Sequence, residues 1–164
     1  MSLALRHAPE RFGLVLDAAG WVAVDDVLAA LGISRADLDA VVAGNDKQRF
    51  TVGAGRIRAN QGHSVPVDLG LVPRPPPPLL YHGTTAAVLG SVRATGLDRG
   101  RRHHVHLSAD LDTARRVGAR RAGAVLVLTV DAQAMADDGH LFYRSANGVW
   151  LTDAVPVRYL REPL

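Results

Sequence analysis

The 164-residue chain is long enough for one domain or two small ones, and its apolar content of 48% argues against disorder. It contains no cysteine, which excludes disulfides, thiolate catalysis and cysteine-ligated zinc. The net charge is only +3, so any anionic partner must be bound by local clusters rather than by a broad basic surface. There is no apolar run of about 18 residues and no charged-then-apolar leader, so we expect a soluble, cytoplasmic, monomeric protein without membrane contact.

Arginine supplies almost all of the positive charge. The 19 basic residues are 18 arginines and a single lysine, Lys47. Guanidinium groups hold phosphate with two parallel hydrogen bonds, which an ammonium group cannot do. A chain so rich in Ala, Gly, Val and Pro could also owe its arginines to coding bias.

The first half, residues 1–72, is predicted to be helix-rich. The predicted elements are a helix over 3–7, a strand over 21–24, a helix over 25–31 closed by Gly32, a helix from a capping box at Ser34 and Asp37 through Val42 that Gly44 ends, and a hairpin of strands 49–52 and 56–59. Three helices followed by a two-stranded ribbon is the winged-helix pattern. That pattern is typical of nucleic-acid readers and also of protein-interaction modules.

The hairpin region concentrates basic side chains. Between Asp46 and Asp68 there is no acidic residue, and the basic ones are Lys47, Arg49, Arg56, Arg58 and His63. Arg56 and Arg58 are two positions apart on a strand, so they share a face and are suited to one phosphate. The alternative is a solvated edge ribbon on which the charges only block aggregation.

The second half follows the proline run at residues 73–78, which predicts a semi-rigid linker. Residues 79–81 are predicted to be a short buried strand that ends at His82, Gly83 and Thr84. We expect Gly83 to allow a tight turn and the close approach of a ligand to His82 and Thr84. The alternative is a turn in which Thr84 or Thr85 only caps a helix over 86–94.

Four strands, a helix and a hairpin turn are also predicted in the second half. They are a strand over 104–108, a helix from Asp110 through Arg121, a central strand over 125–130, and a hairpin turn at Asn147 and Gly148 followed by strands over 149–151 and 155–160. His104 and His106 share a face, but no further ligand has matching spacing, so we expect no metal. The helix dipole accounts for Arg120 and Arg121 if they bind nothing.

The sequence lacks the common catalytic motifs. It has no nucleophile elbow, no Walker loop and no carboxylate pair, and its two glutamates, Glu10 and Glu162, are near the ends. Histidine and arginine remain, and they stabilise anionic transition states better than they create nucleophiles. The sequence therefore indicates phosphoryl or phosphate-ester chemistry.

Seven sequence blocks follow one another in order over nearly the whole chain: 3–7 (LALRH), 45–50 (NDKQRF), 56–64 (RIRANQGHS), 80–84 (LYHGT), 104–108 (HVHLS), 117–121 (VGARR) and 147–152 (NGVWLT). Together they resemble the RNA 2′-phosphotransferases, NAD-dependent enzymes that remove a splice-junction 2′-phosphate from tRNA. The resemblance implies an α+β fold with three parts. These are a winged-helix RNA-phosphate-binding lobe over 1–72, the linker over 73–78, and an NAD-binding, ADP-ribosyltransferase-like mixed-sheet lobe over 79–164.

The resemblance also implies functional residues. The catalytic set is Arg6, His7, Arg58 and Arg120; the NAD-binding set is His82, Gly83, Thr84, His106, Ser108 and Val149; the set for the RNA phosphate is Lys47, Arg49, Arg56, His63 and Ser64. Val149 falls where many protein-modifying ADP-ribosyltransferases have a glutamate. A phosphate dianion is already nucleophilic and would be repelled by a carboxylate, which fits an apolar residue there.

The implied partners are 2′-phosphorylated RNA and NAD, without a metal. In the implied reaction the RNA 2′-phosphate displaces nicotinamide from NAD, and a ribose hydroxyl then attacks phosphorus. The products are RNA with a 2′-hydroxyl and ADP-ribose 1″,2″-cyclic phosphate. Two alternatives stay open: an ADP-ribosyltransferase that stops after the first step, and a winged-helix regulator that only senses NAD.

Overall fold

The computed structural model describes residues 1–45, 47–120 and 122–161, and the chain divides into two units, Met1–Leu71 and Val72–Leu164. Each unit has its own hydrophobic core. Six α-helices and several small antiparallel sheets make the described part a mixed α and β structure. None of the helices in the described part is long and apolar enough to cross a membrane.

The first unit combines three helices with a three-stranded sheet. The helices are α1 (Ser2–Arg6), α2 (Val24–Leu31) and α3 (Arg35–Ala43), and the strands are β1 (Val22–Ala23), β2 (Phe50–Gly53) and β3 (Arg56–Ala59). A 3₁₀ turn covers Pro9–Phe12. The sheet order is β1-β3-β2 with antiparallel pairing, so the predicted two-stranded ribbon gains a third strand and β3 lies in its centre. β3 is therefore not the edge strand that the alternative for its basic residues assumed.

Local signals start and stop the helices of this unit as predicted. The capping box opens α3: the Asp37 amide donates to Ser34 Oγ at 3.1 Å, and the Ser34 amide donates to the Asp37 carboxylate at 3.0 Å. The Ser34 hydroxyl, which donates to the Asp37 carboxylate at 2.6 Å, and then the Ser34 amide hold the pKa of Asp37 below its usual value. Gly32 closes α2 with a φ of +61°, which glycine adopts without a Cβ penalty.

The second unit contains three helices and eight strands among its described residues. The helices are α4 (Leu89–Thr95), α5 (Leu111–Gly118) and α6 (Ala132–Asp137), and the strands are β4 (Leu79–Thr85), β5 (Leu97–Asp98), β6 (Val105–Leu107), β7 (Val125–Asp131), β8 (Tyr143–Arg144), β9 (Trp150–Thr152), β10 (Ala154–Val155) and β11 (Leu160–Arg161). The sheets have the orders β11-β7-β4, β6-β9-β8 and β10-β5, all antiparallel. The predicted central strand is confirmed as β7, and the predicted hairpin turn at Asn147 and Gly148 joins β8 to β9.

The strand that begins the second unit is longer than predicted. β4 does not end at Tyr81 but pairs with β7 along its whole length to Thr85, so Gly83 lies inside a strand. A Cβ atom on Gly83 would lie 1.7 Å from the main-chain oxygen of Ala114 in α5. The glycine therefore allows α5 to pack directly on β4, and the tight turn expected at this position is wrong.

Two other predicted elements have different ends. The helix predicted to run through Arg121 ends at Gly118, so Arg120 lies in the turn that follows, and Arg121 is outside the described residues. The strand predicted over 155–160 is interrupted by a 3₁₀ turn at Val157–Tyr159, which follows Pro156. Proline lacks the amide hydrogen that a continuous ladder needs.

The helix predicted over 86–94 begins as a 3₁₀ turn at Ala86–Val88 and continues as α4. Thr85 precedes this turn, but no side-chain hydrogen bond caps it, and Thr84 lies within β4. The alternative in which a threonine serves only as a helix cap is therefore wrong.

The proline segment packs on the second unit. The Arg74 amide donates to the Phe142 carbonyl at 2.8 Å, and Pro73 forms a bridge with Tyr143. Pro76 is buried. These contacts tie residues 73–76 to the strand that begins at Tyr143.

Candidate active site

In the first unit, the end of α1 meets the segment that follows β3. Arg6 is the last residue of α1, and its carbonyl accepts a hydrogen bond of 2.9 Å from the Ser64 amide. His7, the next residue, is exposed, and its Nδ1 lies 3.0 Å from Ser64 Oγ. The structure thus brings together three candidate residues from two distant sequence blocks.

Arg6 itself is buried, with 8% of its surface exposed. Its guanidinium carbon lies 6.0 Å from the ring centroid of Phe50 on β2, at the outer limit of a cation–π contact. Packing against the hydrophobic core therefore orients this cation.

The arginines of β3 lie together on one face of the sheet, as predicted. Ile57 and Ala59 point into the core, while Arg56 and Arg58 alternate with them on the other face. Arg58 stacks 4.7 Å from the ring centroid of Trp21, and its Nη1 donates to the Ala19 carbonyl at 3.3 Å. The Nε of Arg58 is buried and makes no hydrogen bond to any described residue.

Arg56 has a carboxylate partner that the sequence did not predict. Its Nη2 donates to Asp17 at 2.6 Å. The same carboxylate accepts hydrogen bonds from the amides of Ala19 (2.9 Å) and Trp21 (2.8 Å). The Trp21 amide, followed by Arg56, lowers the pKa of Asp17, so the carboxylate is charged at neutral pH. Asp17 thus organises the loop of Ala19 and Trp21, which Arg58 contacts from β3.

The remaining candidates of the first unit differ in exposure. His63 is buried, with 1% exposed, and packs near Gly20. Lys47 and Arg49 are half-buried, and both hydrogen-bond Asn45 Oδ1, Lys47 through its amide at 3.3 Å and Arg49 through Nη1 at 3.2 Å. His63 is therefore inside the unit, whereas Lys47 and Arg49 reach its surface.

Asn60 anchors this basic segment, a role that was not predicted from the sequence. Its side-chain amide donates to the Gln48 carbonyl at 2.6 Å, and its main-chain amide donates to the Arg49 carbonyl at 2.8 Å. Its Oδ1 accepts from the Thr51 hydroxyl at 2.6 Å. A buried asparagine with all of these partners fixes the backbone that carries Arg49.

In the second unit, the two larger sheets meet beside the candidate histidines. Tyr81 of β4 and Ser108, next to β6, exchange two main-chain hydrogen bonds of 2.9 and 2.8 Å. Next to this bridge, His82 Nδ1 lies 3.0 Å from the His106 carbonyl oxygen. His82, His106 and Ser108 are all half-buried. The structure therefore brings these three candidates together.

Thr84 and Gly83 pack against other parts of the second unit, namely β7 and α5. Thr84 is buried, with 1% exposed, and pairs with Leu126 of β7. Helix α5 occupies the space in which a side chain on Gly83 would lie, so this space is not open to a ligand. Gly118 completes this packing, because a Cβ atom there would lie 3.0 Å from the Thr84 carbonyl oxygen.

Val149 is held by a buried serine, Ser145, that the sequence did not predict. The Val149 amide donates to Ser145 Oγ at 3.1 Å, and the Ser145 amide donates to the Val149 carbonyl at 2.9 Å. Ser145 Oγ also donates to Asn147 Oδ1 at 2.7 Å. The turn that precedes β9 is therefore fixed, with Val149 half-buried.

Arg120 is exposed in the turn that follows α5, and its amide lies 3.4 Å from the Val117 carbonyl. His104 directly precedes β6, and its ring centroid lies 5.4 Å from that of Tyr143. Burial lowers the pKa of His104. Within the described ranges, no group of three or more His, Asp or Glu side chains is arranged to hold a metal ion. The candidate groups are thus arginine, histidine and hydroxyl side chains, a set typical of proteins that bind phosphate.

Comparison with known proteins identifies the family of this mixed α and β protein. The model of the RNA 2′-phosphotransferase, Tpt1 / KptA family matches residues 1–154. A probable RNA 2′-phosphotransferase of Streptomyces griseus subsp. griseus is 59% identical over an alignment of 174 residues. The alignment covers 98% of this chain and 92% of that protein. Proteins of the same description from Rhizobium leguminosarum bv. trifolii and Trichormus variabilis are 55% and 54% identical; each comparison covers 98% of this chain, and 89% and 91% of the relatives.

The chain belongs to the RNA 2′-phosphotransferase, Tpt1 / KptA family. The matched range of 1–154 contains all of the candidate residues from Arg6 to Val149. The resemblance carried by the seven sequence blocks is therefore confirmed.

Proposed function

We propose that this protein is an NAD-dependent RNA 2′-phosphotransferase. It transfers an internal 2′-phosphate of RNA to NAD, which is consumed as a substrate, and no metal takes part. Family membership supports the reaction. The observation that carries the proposal is Arg58, whose buried Nε makes no hydrogen bond to any described residue. A buried guanidinium donor of this kind is suited to a phosphate oxygen.

The proposal assigns a winged-helix, RNA-phosphate-binding role to residues 1–72. Three helices and a sheet with a central basic strand support that role. An ADP-ribosyltransferase-like, NAD-binding role is proposed for residues 79–164, with 73–78 as the connecting segment. The polar side chains of this unit fit a dinucleotide, because His82, His106 and Ser108 are half-buried next to one another. Val149 adds an apolar side chain that is also half-buried.

In the first proposed step, a 2′-phosphate oxygen attacks the ribose carbon that bears nicotinamide. The carbon–nitrogen bond breaks, nicotinamide leaves, and the phosphate becomes ADP-ribosylated. Arg6, Arg58 and Arg120 are assigned to hold the phosphate in this step and to offset the negative charge that builds up around phosphorus in the second step, where preorganised cations stabilise the anionic transition state. Arg6 and Arg58 suit this role because aromatic rings already orient them.

In the second proposed step, the adjacent ribose hydroxyl attacks phosphorus and the bond to the RNA 2′-oxygen breaks. The RNA oxygen gains a proton, and ADP-ribose 1″,2″-cyclic phosphate leaves. His7 is assigned to this proton transfer because its ring is exposed and held by Ser64. Because Arg120 is assigned to the charge of this second transition state, Arg120→Ala is expected to slow the second step and to accumulate ADP-ribosylated RNA.

The test is a short RNA with one internal 2′-phosphate, incubated with the protein with and without NAD. We expect the RNA to lose its phosphate only when NAD is present, with nicotinamide released at the same rate. Loss without NAD, or no loss with it, contradicts the proposal. An ADP-ribosylated RNA that persists at long times supports the enzyme that stops after the first step.

A further inference from the structure

Arg102, which no sequence motif singled out, contacts a candidate histidine of the second unit. Its Nη1 lies 3.2 Å from Nδ1 of His106. The main-chain oxygen of His106 is in turn 3.0 Å from Nδ1 of His82. Both imidazole rings thus meet, through Nδ1, a group whose hydrogen-bonding role is fixed by its chemistry.

These contacts determine where each ring carries its proton. A guanidinium group only donates, so Nδ1 of His106 must accept, and the ring in this contact is neutral with its proton on Nε2. A carbonyl oxygen only accepts, so Nδ1 of His82 must donate. In a neutral His82 the lone pair is then on Nε2. The two neighbouring histidines therefore have opposite tautomers.

The segment around Arg102 is held by its own hydrogen bonds. The Gly100 amide donates to the Asp98 carboxylate, Arg99 Nη1 donates to the His103 carbonyl at 3.2 Å, and the Arg102 amide donates to the Arg99 carbonyl at 3.2 Å. These bonds give Arg102 a defined starting point four residues before His106. The backbone of Arg102 is therefore held in place by hydrogen bonds within its own segment.

We propose that Arg102 is a positioning residue for the nucleotide side of the reaction. It holds His106 as the Nε2–H tautomer, so that His106 offers a donor to an oxygen of NAD while His82 offers an acceptor to a hydroxyl. A protonated His106 would place two donors and two positive charges against each other at this distance. The inference rests on the proposed function, because it takes His82 and His106 as NAD-binding residues.

The tautomers are measured first, on the full chain without nucleotide. Long-range proton–nitrogen spectra of the ¹⁵N-histidine protein are recorded at pH 8, and signals are assigned with His82→Gln and His106→Gln. The expected result is an unprotonated Nδ1 on His106 and a protonated Nδ1 on His82. A protonated Nδ1 on His106 overturns the inference. These spectra decide the contact whether or not the protein uses NAD.

Arg101 provides a matched control, since it is exposed and its side chain makes no hydrogen bond or ion pair with any described residue. Arg102→Ala is expected to move the Nδ1 signal of His106 towards that of a mixed tautomer, and Arg101→Ala to leave it unchanged. In turnover assays Arg102→Ala is expected to raise KM for NAD about tenfold, or ~1.4 kcal/mol, with kcat within about twofold. Arg101→Ala should change neither parameter by more than about twofold.

The turnover assays of the two variants can also overturn the inference. Equal effects of Arg102→Ala and Arg101→Ala on KM for NAD would mean that only charge matters. A fall in kcat alone would mean that Arg102 acts elsewhere. Failure of the wild-type protein to use NAD contradicts the proposed function instead, and it is recognised before either variant is made.

Discussion

The Nδ1 atom of His7 lies 3.0 Å from the Oγ atom of Ser64, although 57 positions separate the two residues. The Ser64 amide also binds the carbonyl of Arg6. One serine therefore ties the end of α1 to the segment after β3. This double attachment orients the exposed imidazole to which the proposed mechanism assigns proton transfer.

Ser64→Ala should reduce turnover without unfolding the protein. The variant removes the hydroxyl that orients His7 and keeps the main-chain bond to Arg6. We expect kcat to fall about three- to tenfold, the effect of losing one neutral hydrogen bond. Ser64→Thr retains the hydroxyl and serves as the control in the same steady-state assay. Equal activity of the alanine and wild-type proteins would show that His7 needs no support from Ser64.

Arg58 and Arg56 should differ sharply although they share a face of β3. Arg58→Ala is expected to lower kcat about 10²-fold or more, because a preorganised cation on the reacting phosphate is lost. Arg56→Ala should keep kcat within about threefold, since an exposed ion pair contributes ~0–1 kcal/mol. Steady-state rates at saturating NAD and 2′-phosphorylated RNA measure kcat for both variants. Similar losses in the two variants would mean that Arg56 also acts on the phosphate.

Asp17→Asn should make stability less sensitive to acid. The folded-state pKa of Asp17 is lowered from 3.8, first by the Trp21 amide and then by Arg56. Its contribution to stability is therefore present above that value and is lost as the pH falls through the folded-state pKa. Urea unfolding of both proteins is measured from pH 7 to pH 2. Wild type should be the more stable at neutral pH, and the difference should vanish in acid; a difference that grows in acid contradicts this account of Asp17.

Gly83→Ala should disrupt the second unit. The added Cβ would meet the Ala114 carbonyl at 1.7 Å, so α5 must move away from β4. We expect a destabilisation of about 3 kcal/mol in urea unfolding, at the upper end for overpacked sites. Gly90→Ala is the control, because a Cβ there meets nothing within 4 Å. Equal stability of the two variants would show that α5 does not need close contact with β4.

Elements set by local chemistry were predictable from the sequence. The capping box at Ser34 and Asp37 and the turn at Asn147 and Gly148 depend on hydrogen bonds and backbone conformations within a few residues. Both are present where they were predicted. The alternation that puts Arg56 and Arg58 on one face is equally local, because it follows from the period of a strand.

Elements set by distant contacts were not predictable in the same way. Gly83 signals a turn by its local sequence, yet packing by α5 and pairing with β7 keep it in a strand. The addition of β1 to β3 depends on residues far apart in the sequence, such as Val22 and Ile57, and no local pattern encodes their pairing. The contact of Asp17 with Arg56 also depends on the folded chain, because 39 positions separate the two residues. Arg102 is only four positions from His106, but no motif in the sequence pairs the two side chains.

The fate of phosphorus tests the central claim most directly. A short RNA whose internal 2′-phosphate carries ¹⁸O is incubated with the protein and NAD, and the products are identified by mass spectrometry. We predict that the label appears in ADP-ribose 1″,2″-cyclic phosphate, with one nicotinamide released for each 2′-hydroxyl formed. Label in inorganic phosphate, or removal of the phosphate while NAD stays intact, would contradict transfer to NAD.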